Sequence, residues 1–141
     1  MDPIDFSDLP DQALVLMDSA PIIYVLEAHP LLGPRFQPLF EAHAAGRLRF
    51  AVTTVAIAEV LTGPLQVGDE AVAGRYRSIL EAWEPIELDV DIAVAAGRFR
   101  ASLRLKLPDA IQVASAIAIN ATALVTYDTD FSRVHSLRIL S

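Results

Sequence analysis

Four acidic residues give the strongest chemical signal in this sequence: Asp18, Glu59, Asp109 and Asp128. Carboxylates that face one pocket repel each other and raise each other's pKa values. A bound divalent cation relieves that repulsion, and oxygen ligands of this kind suit Mg²⁺ or Mn²⁺. The residue types therefore predict a divalent-metal site, provided that the fold brings them together.

Each acidic residue also has a simpler explanation. Asp18 could cap the following helix, and Asp128 and Asp130 could be ordinary turn residues. Asp109 could complement a helix dipole, which in isolation is the better explanation of that residue. Glu59 differs because its sequence neighbours are apolar, and a charge in so apolar a helix needs a partner. The combination favours a shared pocket more strongly than any single residue does.

Short apolar segments alternate with helical segments along the chain, which predicts a parallel sheet covered by helices on both faces. The predicted strands span 13–17, 49–52, 85–88, 123–126 and 138–140. The predicted helices span 21–26, 35–45, 54–61, 69–83, 90–104 and 108–119, with a short turn or helix at 129–134.

Capping residues mark several of these boundaries. We expect Ser19 to cap the first helix, and Thr53 or Thr54 to cap the third, which should stop at Gly63-Pro64. Asp89 should cap the helix that begins at residue 90.

The predicted sheet places two of the acids at one edge. Asp18 follows the first strand and Asp128 follows the fourth. In open parallel sheets, ligands bind beyond the carboxyl ends of the strands, so both residues should lie at that edge. Glu59 lies within the helix after the second strand, and Asp109 lies in the first turn of a later helix.

Composition indicates one soluble domain. The 141 residues are 53% hydrophobic and include no cysteine, which excludes disulfides and zinc–thiolate sites. Four of the 18 acidic residues lie in the first 12 positions, so the net charge of −7 falls to −3 without them. We divide the chain into a loose acidic leader, 1–12, and a single domain, 13–141. The long uncharged run at 110–127 is better explained as a helix followed by a strand than as a membrane span. Because no signal peptide is visible either, we expect a cytoplasmic protein that is not inserted in a membrane.

Four sequence blocks resemble the PIN-domain family, and most of all the VapC-type toxins of toxin–antitoxin pairs. They are Leu14-Val-Leu-Met-Asp18-Ser19, Thr53-Thr-Val-Ala-Ile-Ala-Glu59-Val-Leu, Lys106-Leu-Pro-Asp109-Ala-Ile-Gln-Val-Ala-Ser115-Ala and Leu124-Val-Thr126-Tyr-Asp128-Thr-Asp130-Phe131. The likeness extends over nearly the whole chain from about residue 13. It implies a five-stranded parallel sheet in the order 3-2-1-4-5 and metal-dependent endoribonuclease activity.

The resemblance also assigns roles to individual residues. It makes Asp18, Glu59, Asp109 and Asp128 the catalytic quartet, with Asp18, Asp109 and Asp128 as metal ligands. Ser19 and Thr126 match the small hydroxyl positions beside the quartet, and Asp130 matches an additional acid that some members use. Tyr127 departs from the family pattern, in which a short polar residue is common at that position.

The resemblance further implies an RNA substrate, a cognate antitoxin and a homodimer. The stretch from Ile22 to Phe40 is apolar enough to predict an exposed patch that such partners would bury. Arg100 and Arg104 could guide RNA phosphates, or could form a solvated face that pairs with acids. We expect the three histidines to be surface or helix-end residues, and Tyr24, Phe40, Trp83 and Phe99 to be core or dimer contacts.

Other protein classes explain the pattern less well. A receiver-type phosphoacceptor domain needs a lysine after a later strand, but the only lysine, Lys106, lies between two helices. A haloacid-dehalogenase-like phosphatase needs a second aspartate two positions after Asp18, where Ala20 stands. A PIN fold that only binds RNA is a further alternative.

Overall fold

The computed structural model describes residues 2–141. Its strands are β1 (Ala13–Met17), β2 (Leu48–Thr53), β3 (Glu84–Ile86), β4 (Ala123–Val125) and β5 (Ile139–Leu140). Its helices are α1 (Ser19–Leu26), α2 (Leu32–Ala44), α3 (Thr54–Gln66), α4 (Glu70–Glu81), α5 (Val90–Leu103) and α6 (Leu107–Ala118). A 3-10 helix at Thr129–Arg133 lies between β4 and β5.

The five strands form one parallel sheet in the order β3-β2-β1-β4-β5, as predicted. Leu16 of β1 lies opposite Ala51 of β2 on one side and Leu124 of β4 on the other. Because all pairs are parallel, the carboxyl ends of β1, β2 and β4 meet at one edge of the sheet.

Helices cover both faces of the sheet, which gives three layers. Alternate side chains of a strand point to opposite faces, so Val15 and Met17 of β1 pack in one core with residues of α1 to α4. Leu16 between them packs in a second core with residues of α5 and α6. The central strands are buried on both faces, which explains their continuous apolar sequence.

Two helices, α3 and α5, begin where their capping residues predicted. The side chains of Thr53 and Asp89 accept hydrogen bonds from Ala56 N and Ile92 N. Of the two candidates for the first cap, Ser19 is wrong, because Asp18 caps α1 and Ser19 is its first residue. The end of α3 was also wrong, because this helix continues through Gly63-Pro64 to Gln66. Pro64 is buried in the last turn, and we attribute the continuation of the helix to this packing, because a proline removes a backbone hydrogen bond and crowds the carbonyl four residues earlier.

The acidic leader is not loose, contrary to our expectation. Ile4 and Leu9 are buried in the first core, and Ile4 N donates to the carbonyl oxygen of Arg35 at 3.0 Å. Arg138 holds Asp8 with two hydrogen bonds of 2.6 and 2.8 Å. Two isolated apolar residues thus attach a segment whose overall composition suggested a free tail. Its division from the rest of the chain at residue 12 stays a prediction.

The stretch between Ile22 and Phe40, predicted to leave an exposed apolar patch, is instead mostly buried or half-buried. Ile22, Phe36 and Leu39 are fully buried, and Leu31 is the one large hydrophobic residue in that stretch that is exposed. Most apolar side chains of this region pack into the core between α1, α2 and the sheet. Within the described residues, no helix is long and apolar enough to cross a lipid bilayer.

Aromatic residues fill this core as expected. Phe40, Phe50 and Trp83 form edge-to-face contacts with ring centroids 4.9 to 5.8 Å apart. His43, in the last turn of α2, stacks on Phe50, and burial lowers its pKa. None of these rings lies among the acidic residues of the sheet edge.

Candidate metal centre

Three carboxylates converge beyond the carboxyl end of β4. Ligand oxygens of Asp109, Asp128 and Asp130 all lie within 4.8 Å of one another. Asp109 comes from the first turn of α6, whereas Asp128 caps the 3-10 helix and accepts a 2.8 Å hydrogen bond from Asp130 N. Asp130, predicted only as a supporting residue, therefore lies in the same group as two predicted ligands.

Asp109 is the residue most strongly affected by this crowding. Its Oδ2 atom is buried and has no hydrogen-bond partner among the described residues. Burial, and then the charges of Asp128, Asp18 and Asp130, raise its pKa from 3.8 to about 6, while Lys106 acts in the opposite direction. An unpaired buried oxygen beside two further carboxylates fits a hard divalent cation, which takes oxygen ligands.

Asp18 lies at the end of β1 and is 8% exposed. Its Oδ1 accepts hydrogen bonds from Ser19 N at 3.0 Å and from Gln112 Nε2 at 3.1 Å. Its Oδ2 accepts one from Thr126 Oγ1 at 2.8 Å. Burial raises the pKa of Asp18 and the charge of Asp128 raises it further, while these three hydrogen bonds lower it. Asp18 is thus both a helix cap and an electrostatic neighbour of the carboxylate group.

Thr126 connects two of the acids. Its hydroxyl donates to Asp18 Oδ2 and accepts a 3.1 Å hydrogen bond from Asp128 N. One buried hydroxyl therefore fixes both the Asp18 carboxylate and the backbone of Asp128, just beyond β4.

Two residues that were not predicted as site residues, Gln112 and Thr53, complete the surroundings of Asp18. Gln112 lies on α6, donates to Asp18 and accepts a 2.6 Å hydrogen bond from Thr53 Oγ1 at the end of β2. Both side chains are buried. A signal was available, since a glutamine between Ile111 and Val113 on an otherwise apolar helix requires hydrogen-bond partners.

Glu59 stands apart from the three converging aspartates. It lies on α3 and is exposed as a residue, although its carboxyl group is partly withdrawn from water. That burial, together with the charge of Asp18, raises the pKa of Glu59, while a hydrogen bond from the Ser19 side chain lowers it. The partner required by an acid in this apolar helix is thus the Ser19 hydroxyl beside the site.

One basic side chain, Lys106, lies beside the carboxylates. Lys106 Nζ is 3.8 Å from Asp130 Oδ2. Arg100 is exposed on α5, and Arg104 lies just beyond the helix with a left-handed φ of 56°, so the two do not share a helical face as predicted. Within residues 2–141, neither arginine forms an ion pair with an acid, which removes the predicted pairing as an explanation of their exposure.

A cavity of about 420 Å³ adjoins the carboxylates and is lined by Arg35, Tyr127, Asp128, Thr129 and Ser141. A larger cavity of about 550 Å³ lies between β3, α5 and the end of α6, and it contains none of the four predicted catalytic acids. Glu87, Asp89 and Asp91 line the larger cavity, but none of the three converging aspartates does, so the candidate metal centre does not lie there.

Comparison with known proteins identifies the family and the fold of this chain. The model of the PIN domain family matches residues 15–137. No curated protein matches the sequence. Among solved structures, a toxin–antitoxin complex from Klebsiella pneumoniae superposes with a TM-score of 0.71 at 23% identity, covering 90% of this chain and 96% of that chain. VapBC2 from Rickettsia felis, bound to a DNA fragment from its promoter, gives 0.72 at 21% identity, with 89% and 96% covered. The sarcin-ricin-loop-cleaving toxin VapC20 from Mycobacterium tuberculosis gives 0.73 at 13% identity, with 90% and 99% covered.

Proposed function

Because the chain belongs to the PIN domain family, we propose that it is a divalent-metal-dependent endoribonuclease and the toxin of a VapBC-type toxin–antitoxin pair. One observation carries the metal-dependent part of this proposal. Asp109 keeps a buried oxygen without a hydrogen bond in a group of three carboxylates. An unpaired buried acceptor is costly, and a cation would remove both that cost and the repulsion.

The residues that would hold Mg²⁺ or Mn²⁺ are Asp109, Asp128 and Asp130, together with Asp18. A carboxylate offers about four acceptor positions, and three of those on Asp18 are already filled, which leaves one on Oδ2. Asp18 would therefore contribute a single oxygen. Such an ion, when bound, lowers the pKa of a coordinated water and stabilises charge on a phosphate oxygen.

The remaining groups support proton transfer and alignment. Glu59 would orient the attacking water or accept its proton, and its raised pKa makes it a stronger base than an ordinary glutamate. The Ser19 hydroxyl, which donates to Glu59, would hold that carboxyl group in place. Thr126 keeps Asp18 and Asp128 aligned through one hydroxyl.

We propose that RNA and a cognate antitoxin are the partners of this protein. We also propose that it forms a homodimer and acts in the cytoplasm. The support for RNA is that VapC20, with the same fold, is a sarcin-ricin-loop-cleaving toxin. The support for an antitoxin is that the similar structure from Klebsiella pneumoniae is a toxin–antitoxin complex. Arg100 and Arg104, exposed and without acidic partners, would contact RNA phosphates near the entrance to the site.

Cleavage of structured RNAs, including a sarcin-ricin-loop hairpin, tests the proposal. Activity should require Mg²⁺ or Mn²⁺, disappear with chelator and return when metal is restored. Asp128→Asn should reduce the rate by about 100-fold or more, since changes even outside the ligand shell typically cost about 10–100-fold. Asp91→Asn, an exposed acid in the first turn of α5, serves as the matched control and should cleave normally.

Two results would contradict the proposal. Chelator-insensitive cleavage would exclude the metal, and full activity in Asp128→Asn would exclude this site. Tight RNA binding without cleavage, at any metal concentration, would instead identify a binding module with a PIN fold.

A further inference from the structure

Gln112 is unusual because it is an amide buried at 1% exposure within an apolar helix. Burial of an amide is unfavourable unless both of its ends form hydrogen bonds. Here both ends do, with Thr53 on β2 and Asp18 on β1, which are 59 and 94 positions away in the sequence. The side chain therefore joins three separate elements at the sheet edge.

The chemistry of these partners determines which way the amide points. Thr53 Oγ1 already accepts from Ala56 N at 3.0 Å, so its single proton is available to Gln112 Oε1. The opposite end of the amide then presents Nε2, the only donor that Gln112 has, to the Asp18 carboxylate. The reverse orientation would place two acceptor oxygens against each other.

This orientation decides which acceptor position of Asp18 remains free. Gln112 and Ser19 N together fill Oδ1, whereas Thr126 takes one position on Oδ2. Gln112 also lies three residues after Asp109, at a spacing that places both on the same side of α6. The hydrogen bond from Gln112 to Asp18 therefore links the helix that carries Asp109 to the strand that carries Asp18.

We propose that Gln112, oriented by Thr53, is a positioning residue that fixes the Asp18 carboxylate relative to Asp109 and so sets the affinity of the site for a divalent metal. This inference rests on the proposed function, because it requires that the site binds metal. Gln112 acts through Asp18 and touches no reacting atom itself.

Mn²⁺ affinity, measured by electron paramagnetic resonance on the whole chain, tests the inference. Gln112→Met has a similar shape but lacks both hydrogen-bonding groups, and it should weaken Mn²⁺ binding by about 10–100-fold, as outer-shell changes typically do. Val113→Ala, a buried change on the same helix, is the control for destabilisation and should bind Mn²⁺ like the wild type.

A second pair of variants keeps the test decisive if Gln112→Met does not fold. Thr53→Val removes the hydroxyl that orients the amide and should weaken Mn²⁺ binding, whereas Thr53→Ser retains it and should restore wild-type affinity. Because Thr53 also caps α3, Asp69→Ala, which removes the cap of α4, controls for the loss of a cap alone.

The outcomes separate the two proposals. If Gln112→Met folds and binds Mn²⁺ like the wild type, or if the Thr53→Val and Thr53→Ser variants bind it equally, the positioning role is wrong while the nuclease proposal stands. If the wild-type chain binds no Mn²⁺, the proposed function fails, and this inference fails with it.

Discussion

Replacement of Asp109 by asparagine should stabilise the metal-free protein at neutral pH. The wild-type carboxyl group has its pKa raised from 3.8 to about 6, chiefly by burial and then by the neighbouring aspartates. Between these two pH values the folded state binds more protons than the unfolded state, so the free energy of unfolding falls as pH rises. The full penalty of the ionised carboxylate is present above about pH 6 and disappears below about pH 3.8.

The size of the effect follows from the pKa rise. A rise from 3.8 to about 6 corresponds to about 3 kcal/mol at about 1.36 kcal/mol per pKa unit. Asp109 is only half-buried, so solvent screening reduces the expected gain to about 1–2 kcal/mol. For a chain of this size that corresponds to a rise in Tm of roughly 3–8 °C.

Thermal melting with chelator, at pH 8 and again near pH 4, measures this gain. The Asp109→Asn advantage should be present at pH 8 and largely absent near pH 4, where the wild-type carboxyl is protonated. Asp91→Asn is the matched control, because Asp91 also lies in a first helical turn but is exposed. It should lose about 0.3–1 kcal/mol through the helix dipole alone. If Asp109→Asn is destabilised like this control, the carboxylate is a simple dipole residue and the crowding argument is refuted.

Three further changes test other parts of the structure. Millimolar Mg²⁺ should stabilise the folded state by mass action and so raise the Tm, with a gain in the free energy of unfolding of about 2.7 kcal/mol at 100 times the Kd. A wild-type Tm that does not respond, or an Asp128→Asn variant that responds equally, would contradict the site. Thr126→Val should cost about 1–3 kcal/mol by leaving Asp18 Oδ2 without its hydrogen-bond donor, as measured by urea unfolding, and Thr126→Ser should not. Leu9→Ala should cost about 2–5 kcal/mol of stability because Leu9 is buried in the core. Leu31→Ala, at an exposed leucine, should change stability by less than about 0.5 kcal/mol. Equal melting temperatures for the two variants would mean that the leader is loose.

The sheet and most of its helices could be predicted from local patterns. Apolar runs predicted the five strands to within about two residues, and Thr53 and Asp89 marked helix starts, because caps and buried strands depend on neighbouring residues in sequence. Pro64 misled the prediction for α3, because burial of its ring offsets the cost of a proline within a helix, and burial is not visible in the local sequence.

The candidate site was likewise predictable from the sequence only in part. The sequence by itself determined that Asp18 and Asp128 follow neighbouring parallel strands and so share an edge, and the family resemblance added Asp109 and Glu59 as expectations. Only the tertiary structure decided that Asp130 joins Asp109 and Asp128, that Asp109 keeps an unpaired oxygen, and that Gln112 and Thr53 hold Asp18. These facts depend on how α6 packs against β1 and β2, and contacts between side chains so far apart in the chain leave no periodic signal in the sequence.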